Sequence, residues 1–513
     1  MGDLSQITFP LRETLTLSVP PHWRDHHFQG QPVLPAVEAM AVLARRFEDI
    51  GSGLPVRTMA QVRFAKFLPL DPALNPIQVQ YEADLCDQGG IRTALVTKTR
   101  SKTGTISRTI EHAGMVFNPR AEPPRPWPVD LAATLSGPCT WVEPDIIYKE
   151  LVPFGPGFRS ICSPLALSDE GAMARVRAPE LPDDPPDSLL GSPFPLDGAF
   201  HAACVWGQRH AGIVAFPVGI DQRTVFIPTQ AHETYCAKIL TVQGAGPVLR
   251  FDIEIRDHSG RLRETARGVA MRDVSHGRWR PPAWIARDTA AAPHDLWSGL
   301  CDAAVILERR HVAAFAHLAL SPTESQRMTD MGTRRRNAYI CARLACKRLW
   351  RSLSPAGDRE AAALETVSVD RPHPVIPLVE GQQSYFCTVS HDDRFAVAAA
   401  GGAPIGVDVA KISSRAHHCR RIFMTPSEQA LKAPHTISDL EAALRIWSVK
   451  EAASKALNMT LADAWEHIEV LALEEDCSRV KGPNGRRLTA HHAGYDGHLF
   501  TLMGGRGSNP EER

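Results

Sequence analysis

The stretch PAVEAMAVLARRFEDI, residues 35–50, decides the reading of the N-terminal half. Val37, Met40, Ala41, Leu43 and Ala44 recur at helical spacing, so a helix with one apolar stripe is expected. Strand-like LRETLTLSV (11–19) and a loop rich in proline and histidine precede it. After it, IQVQYEADLC, RTALVTKTRS and ISRTIEHAGMVF alternate apolar and polar residues, which is the period of a half-buried strand. One helix followed by antiparallel strands predicts an α+β unit in which the sheet wraps the helix.

The same order recurs further on. IIYKELV reads as a short helix and ALSDEGAMARVRA as a strand pair. PLDGAFHAACVWGQRH is a central helix, and TVFIP, AHETYCAKILTVQ, LRFDIEIRD and LRETARGVAMRD are strands. Two divergent copies of one unit suggest an internal pseudo-dimer. Between them, residues 118–139 hold six prolines and read as a linker. A second break at about 273–297 divides the chain into units of about 1–120, 135–275 and 296–505, with a frayed tail beyond.

A length of 513 residues requires several cores. With 57 basic against 57 acidic residues, bulk charge points to neither nucleic acid nor a membrane surface. No run of about 18 apolar residues occurs and the N-terminus lacks a signal-peptide pattern, so a cytoplasmic protein is expected. The 11 cysteines form no C-x-x-C and read as reduced thiols.

His26-x-x-x-Gly30-x-x-x-x-Pro35 precedes the first helix, and Asp197-x-x-x-His201 opens the second. Together with Phe154-Gly-Pro-Gly-Phe158 and Phe216-Pro-Val-Gly219, this ordered set resembles the dehydratase domain of polyketide synthases, a double hotdog fold; Ala36 stands where that family usually has glycine. The resemblance implies removal of water from a β-hydroxyacyl thioester, which needs a base for the α-proton and an acid for the hydroxyl. His26 suits the base and a buried, protonated Asp197 the acid. His201, four residues on, lies on the same helical face and can orient the carboxyl.

From about residue 320 the chain turns basic. Arg336, Arg343 and Lys347 share a helical face, which is either a solvated surface or a cradle for phosphates. Ser390-His391 ends a strand, and in Ile405-Gly-Val-Asp408 the aspartate faces away from Ile405, Val407 and Val409. In Trp447-Ser-Val-Lys-Glu-Ala-Ala-Ser-Lys455, Trp447, Glu451 and Lys455 share a face with Lys450 beside it. Asp408 and Glu451 are a hard-oxygen pair suited to Mg²⁺.

These three motifs resemble an Sfp-type 4′-phosphopantetheinyl transferase, whose fold is a pseudo-twofold α/β arrangement. The resemblance implies that coenzyme A is the co-substrate, with Ser390, His391, Lys450 and the basic helix on its phosphates and Asp408 and Glu451 on the metal. It implies a carrier-protein serine attacking the β-phosphate while Lys455 stabilises the charge; Arg371-Pro372 is a weaker match to a basic position of that family. Ala410 departs from the pattern, because the family has a second acidic residue there.

The reading is a bifunctional enzyme of polyketide or polyunsaturated fatty-acid-like synthesis. Its partners are acyl carrier protein and coenzyme A, with no nucleic acid or membrane, and a homodimer or association with a synthase is open. The alternatives are a carrier-docking scaffold with one or both domains inactive, or a hotdog that isomerises enoyl chains.

Overall fold

The computed structural model describes residues 9–50, 55–71, 73–86, 90–100, 107–117, 122–179, 189–242, 247–286, 297–354, 359–366 and 385–504. The chain forms two compact units, Met1–Pro126 with Thr140–Asp288, and Trp127–Cys139 with Thr289–Arg513.

The first unit realises the two-copy pattern. The first copy holds β1 (Leu11–Leu17), helix α1 (Ala36–Asp49), β2 (Thr58–Phe64), β3 (Ile77–Leu85), β4 (Ile91–Arg100) and β5 (Ser107–Phe117). The second holds β6 (Thr140–Val142), β7 (Leu165–Ser168), β8 (Gly171–Arg177), helix α2 (Phe194–His210), β9 (Phe216–Val225), β10 (Thr234–Thr241), β11 (Val248–Arg256) and β12 (Leu262–Arg272). All 12 strands make one antiparallel sheet, ordered β1-β3-β4-β5-β2-β9-β12-β11-β10-β8-β7-β6. The seam is β2 against β9, where Val62 pairs with Ile220. This continuous sheet around two helices is the double hotdog.

Helix α1 buries Val37, Ala39, Met40, Leu43, Ala44 and Phe47, while Ala41 is only half-buried, at the edge of the expected stripe. Phe47 stacks on Phe117 of β5 with ring centroids 4.1 Å apart. Full burial of one such side chain contributes about 1.5–3 kcal/mol. Helix α2 is buried almost all round, which marks a central helix rather than a surface one.

Three local readings shift. Strand β9 begins at Phe216 rather than near Thr224, with a bulge between Pro217 and Gly219 where proline has no N–H to pair. Gly219 is needed there, because a Cβ would stand 2.8 Å from Val62 O. The short helix over residues 146–152 opens into a wide turn closed by Val152 N–H on Ile147 O at 2.8 Å, an i to i+5 bond. The second sequence break begins late, since Ile285 is fully buried in the core of the first unit.

The second unit is a duplicated layer of helix on sheet. Strands β13 (Ala303–Glu308), β14 (Phe386–His391) and β15 (Phe395–Gly401) order as β13-β15-β14, with helix α3 (Thr333–Leu353) against them. Strand β16 (Ile405–Lys411), helices α4 (Ser414–Phe423) and α5 (Asp439–Ala456), and strands β17 (Glu469–Leu473), β18 (Cys477–Lys481), β19 (Arg487–Tyr495) and β20 (His498–Gly504) form the other half, ordered β16-β20-β19-β18-β17.

A repeated joint reveals the pseudo-twofold. Ser321-Pro-Thr-Glu324 and Thr425-Pro-Ser-Glu428 each close a capping box at the start of a short helix. Glu324 then pairs with Lys347 of α3 at 2.7 Å and Glu428 with Lys450 of α5 at 2.8 Å, all four side chains fully buried.

Part of the proline-rich segment belongs here rather than to a free linker. Ser136 bridges to Leu307 on the edge of β13, Gly137 N–H donates to Ile306 O at 2.8 Å, and buried Asp130 takes both forks of Arg351 from α3 at 2.6 and 2.8 Å.

Candidate functional sites

In the first unit the predicted acid and base line one cavity of about 640 Å³. His26 lies at the end of a short turn, Pro21–Asp25, held by the loop at 154–158. Gly157 N–H donates to Asp25 Oδ2 at 2.7 Å and Gly155 N–H to Asp25 O at 2.9 Å. Both glycines are required by closeness, since a Cβ at Gly155 would stand 2.4 Å from Asp25 Oδ1 and one at Gly157 3.0 Å from its Oδ2. Phe154 and Phe158 then pack on the His26 ring, at 4.4 and 5.3 Å between centroids.

That packing sets the chemistry of His26. Burial pushes it down to about 4, so its ring is neutral near pH 7. Asp197, in the first turn of α2, is 3 % exposed, and His201 Nε2 stands 2.9 Å from its Oδ2. The N-terminal residue of α1, Ala36, lines the same cavity, where unpaired first-turn N–H groups favour negative charge.

The rest of the lining is largely apolar, including Phe28, Phe64, Phe67, Phe200 and Phe216. Arg272 and His276 are exposed members of the lining, and Asp273, Val274 and His276 come from the stretch that reads as an interdomain break. Sequence reasoning missed these, because nothing in their spacing ties them to His26. It also missed Tyr148, whose hydroxyl stands 3.3 Å from His201 Nδ1.

In the second unit Asp408 sits beneath α5. Gly406 allows the contact, since a Cβ there would overlap Ala452 O at 1.9 Å. Ser390 Oγ donates to Asp408 Oδ1 at 2.9 Å, Ser448 Oγ donates to Oδ2, and Lys455 Nζ stands 3.9 Å from Oδ1. Lys455 also donates to Val407 O at 2.7 Å and lies 3.4 Å from Glu451. Burial, and then the Asp408 charge, push the Glu451 carboxyl above its ordinary value. Two carboxylates that repel each other in a pocket with one lysine are a donor set a divalent cation would relieve, so the residues fit Mg²⁺. Among the described residues no cluster of three or more such ligands occurs.

His391 is at the solvent edge and is held below its ordinary value by desolvation, then by the Arg309 and Lys455 cations. Those cations make the pocket attractive to phosphate.

Four sequence assignments change. Lys347 and Lys450 are not free for phosphate, because besides Glu324 and Glu428 they donate to Ala361 O and Leu364 O, and to Phe423 O and Trp465 O. Arg343, buried, donates to Thr366 O at 3.1 Å. Ser390, expected on the coenzyme A phosphates, is 6 % exposed and gives its hydroxyl proton to Asp408. Arg336 does lie on the surface, with one N–H on Met331 O. The predicted phosphate face is therefore mostly turned inward, and Arg371 lies outside the described residues.

No helix among the described residues is long and apolar enough to cross a membrane. No curated protein matches the chain. Similar solved structures include the dehydratase domain of RzxB from Pseudomonas fluorescens, 18 % identical over 53 % of this chain and 96 % of that one, with a TM-score of 0.40. A trans-AT polyketide synthase dehydratase domain from Brevibacillus brevis is 17 % identical over 52 % and 96 %, with a TM-score of 0.42. The dehydratase domain of the CurF module of curacin polyketide synthase is 15 % identical over 53 % and 96 %, with a TM-score of 0.43. Residues 146–280, which carry Asp197 and His201, match the family model "Polyketide synthase dehydratase N-terminal domain". Residues 404–499, which carry Asp408, Glu451 and Lys455, match that of the 4′-phosphopantetheinyl transferase superfamily. The chain thus joins a dehydratase-type double hotdog to a 4′-phosphopantetheinyl transferase fold.

Proposed function

We propose that the chain is a bifunctional enzyme of polyketide-like assembly, which dehydrates β-hydroxyacyl carrier-protein thioesters and transfers 4′-phosphopantetheine from coenzyme A to a carrier serine. The observation that carries the first activity is that His26 and Asp197, one from each copy, line a single apolar cavity. Neutral His26 takes the α-proton, and the start of α1 stabilises charge developing on the thioester oxygen. The C–O bond breaks, and Asp197 gives its proton to the leaving hydroxyl, so water departs and an α,β-unsaturated thioester remains.

For the transfer, Asp408 and Glu451 would hold Mg²⁺, which when bound supplies positive charge to the phosphate oxygens. The serine hydroxyl of the carrier attacks the β-phosphorus of coenzyme A; the new P–O bond forms and 3′,5′-ADP leaves with the old one. Glu451 accepts the serine proton. Lys455 and His391 face the developing charge. Ala410 favours a second reading for this half, a carrier-docking scaffold without transfer, because the site has one carboxylate fewer.

Purified protein with coenzyme A, Mg²⁺ and an apo carrier should add the phosphopantetheine mass; an unmodified carrier in every case would leave the scaffold reading. A 3-hydroxyacyl carrier should lose water, with kcat/KM falling in acid only near pH 4, where His26 protonates. No dehydration of that carrier, alongside double-bond migration in a 2-enoyl carrier, would replace the dehydratase by an isomerase.

A further inference from the structure

Tyr148 takes no part in the residue pattern of the dehydratase-like site, yet it is buried against it. It stands in the wide turn before the 154–158 loop, a rare backbone form that often marks a functional position. Its hydroxyl oxygen accepts Ile161 N–H at 2.8 Å, and the same oxygen lies 3.3 Å from His201 Nδ1. With its acceptor side taken by the backbone, the hydroxyl has one proton left to give, and Nδ1 is the acceptor beside it. Burial raises Tyr148 above the ordinary phenol value, so that proton stays in place.

We infer that Tyr148 is a positioning residue, which fixes the tautomer of His201 with the ring proton on Nε2 and thereby keeps the transferable proton of Asp197 on Oδ1. If Nδ1 accepts, neutral His201 carries its proton on Nε2, 2.9 Å from Asp197 Oδ2. The two atoms are close but not aligned as a hydrogen bond, as catalytic pairs often are before substrate binds and tightens them. An Oδ2 that accepts this N–H is the better acceptor as the carbonyl oxygen of the acid, which favours Oδ1 as the seat of the acidic proton.

The inference rests on the dehydratase reading, and its test separates the two. Protein labelled with ¹⁵N-histidine, with the His201 signals identified by their loss in His201→Gln, should show the Nε2–H tautomer. Tyr148→Phe should mix the tautomers and lower kcat for dehydration by about 10- to 100-fold, with KM within about twofold. In the His201→Gln background, where the amide donates without tautomerism, the same change should cost less than about threefold. An unchanged tautomer in Tyr148→Phe, or a full-sized loss of kcat in the glutamine background, overturns the inference. If the wild type never dehydrates, the dehydratase reading fails, and the tautomer comparison still decides the role of Tyr148.

Discussion

Helices α3 and α5 are built on the same buried joint, and only α5 carries residues of the proposed site. Aligned on Lys347 and Lys450, the next residue is Arg348 in α3 and Glu451 in α5; five residues on it is Ser352 against Lys455, and two residues back Ala345 against Ser448. The Glu–Lys pairs are the shared frame, and the chemistry is three side chains laid over it in one half. A lysine beside the glutamate proposed for catalysis can therefore be wholly structural.

That contrast is broken most directly at Glu451. Glu451→Ala should abolish phosphopantetheine transfer by at least about 10³-fold while leaving the melting temperature within a degree or two, because the side chain is 30 % exposed. Retained transfer would remove the distinction between the halves. The buried lysines should behave oppositely. Lys347→Ala and Lys450→Ala each leave a glutamate uncompensated in the interior and should cost about 3–5 kcal/mol in the second unit. Equal costs at the two positions, measured by denaturant unfolding, would establish the common frame; a folded Lys450→Ala with weakened coenzyme A binding would return that lysine to the phosphates.

The α3 half has a further structural duty, which is to hold the segment 127–139. Asp130→Ala removes the carboxylate paired with the Arg351 guanidinium, 7 % exposed, and should destabilise the second unit by about 3 kcal/mol. A C-terminal fragment beginning at residue 289 lacks this segment and should be less stable than the full chain in the same transition. If the fragment melts with the full chain, the segment is only an adornment of the sheet edge.

The sequence made the repeated helix-and-strand order of the first unit readable, because Val37, Met40, Leu43 and Ala44 sit at helical spacing and the strands alternate. It also made Asp408 and His26 readable, through short motifs with few interpretations. It could not say which charges face inward. Arg343 and Lys347 lie on one helical face by spacing, and spacing has no information on whether Thr366 or Glu324 will cover that face. Tyr148 and His276 were invisible for the same reason, since their place depends on contacts between distant segments. The proline-rich stretch misled because prolines report an extended backbone, and an extended backbone can lie along a sheet edge as readily as in solvent.

The smallest effect is expected at the position where α5 differs from α3 by a single hydroxyl. Ser448 donates to Asp408 Oδ2, and Ala345 at the matching place donates nothing. Ser448→Ala removes one hydrogen bond to a buried carboxylate, an interaction worth about 1.5–3 kcal/mol. Part of that is kept by Ser390 on Oδ1 and by Lys455 nearby, so the loss in transfer should be nearer tenfold than a hundredfold. The change should appear at limiting Mg²⁺ and shrink at saturation if the hydroxyl orients the carboxylate toward the metal. A tenfold loss that is independent of Mg²⁺ would instead place Ser448 in the packing of α5 on β16, and the difference between the two helices would then reduce to Glu451 and Lys455.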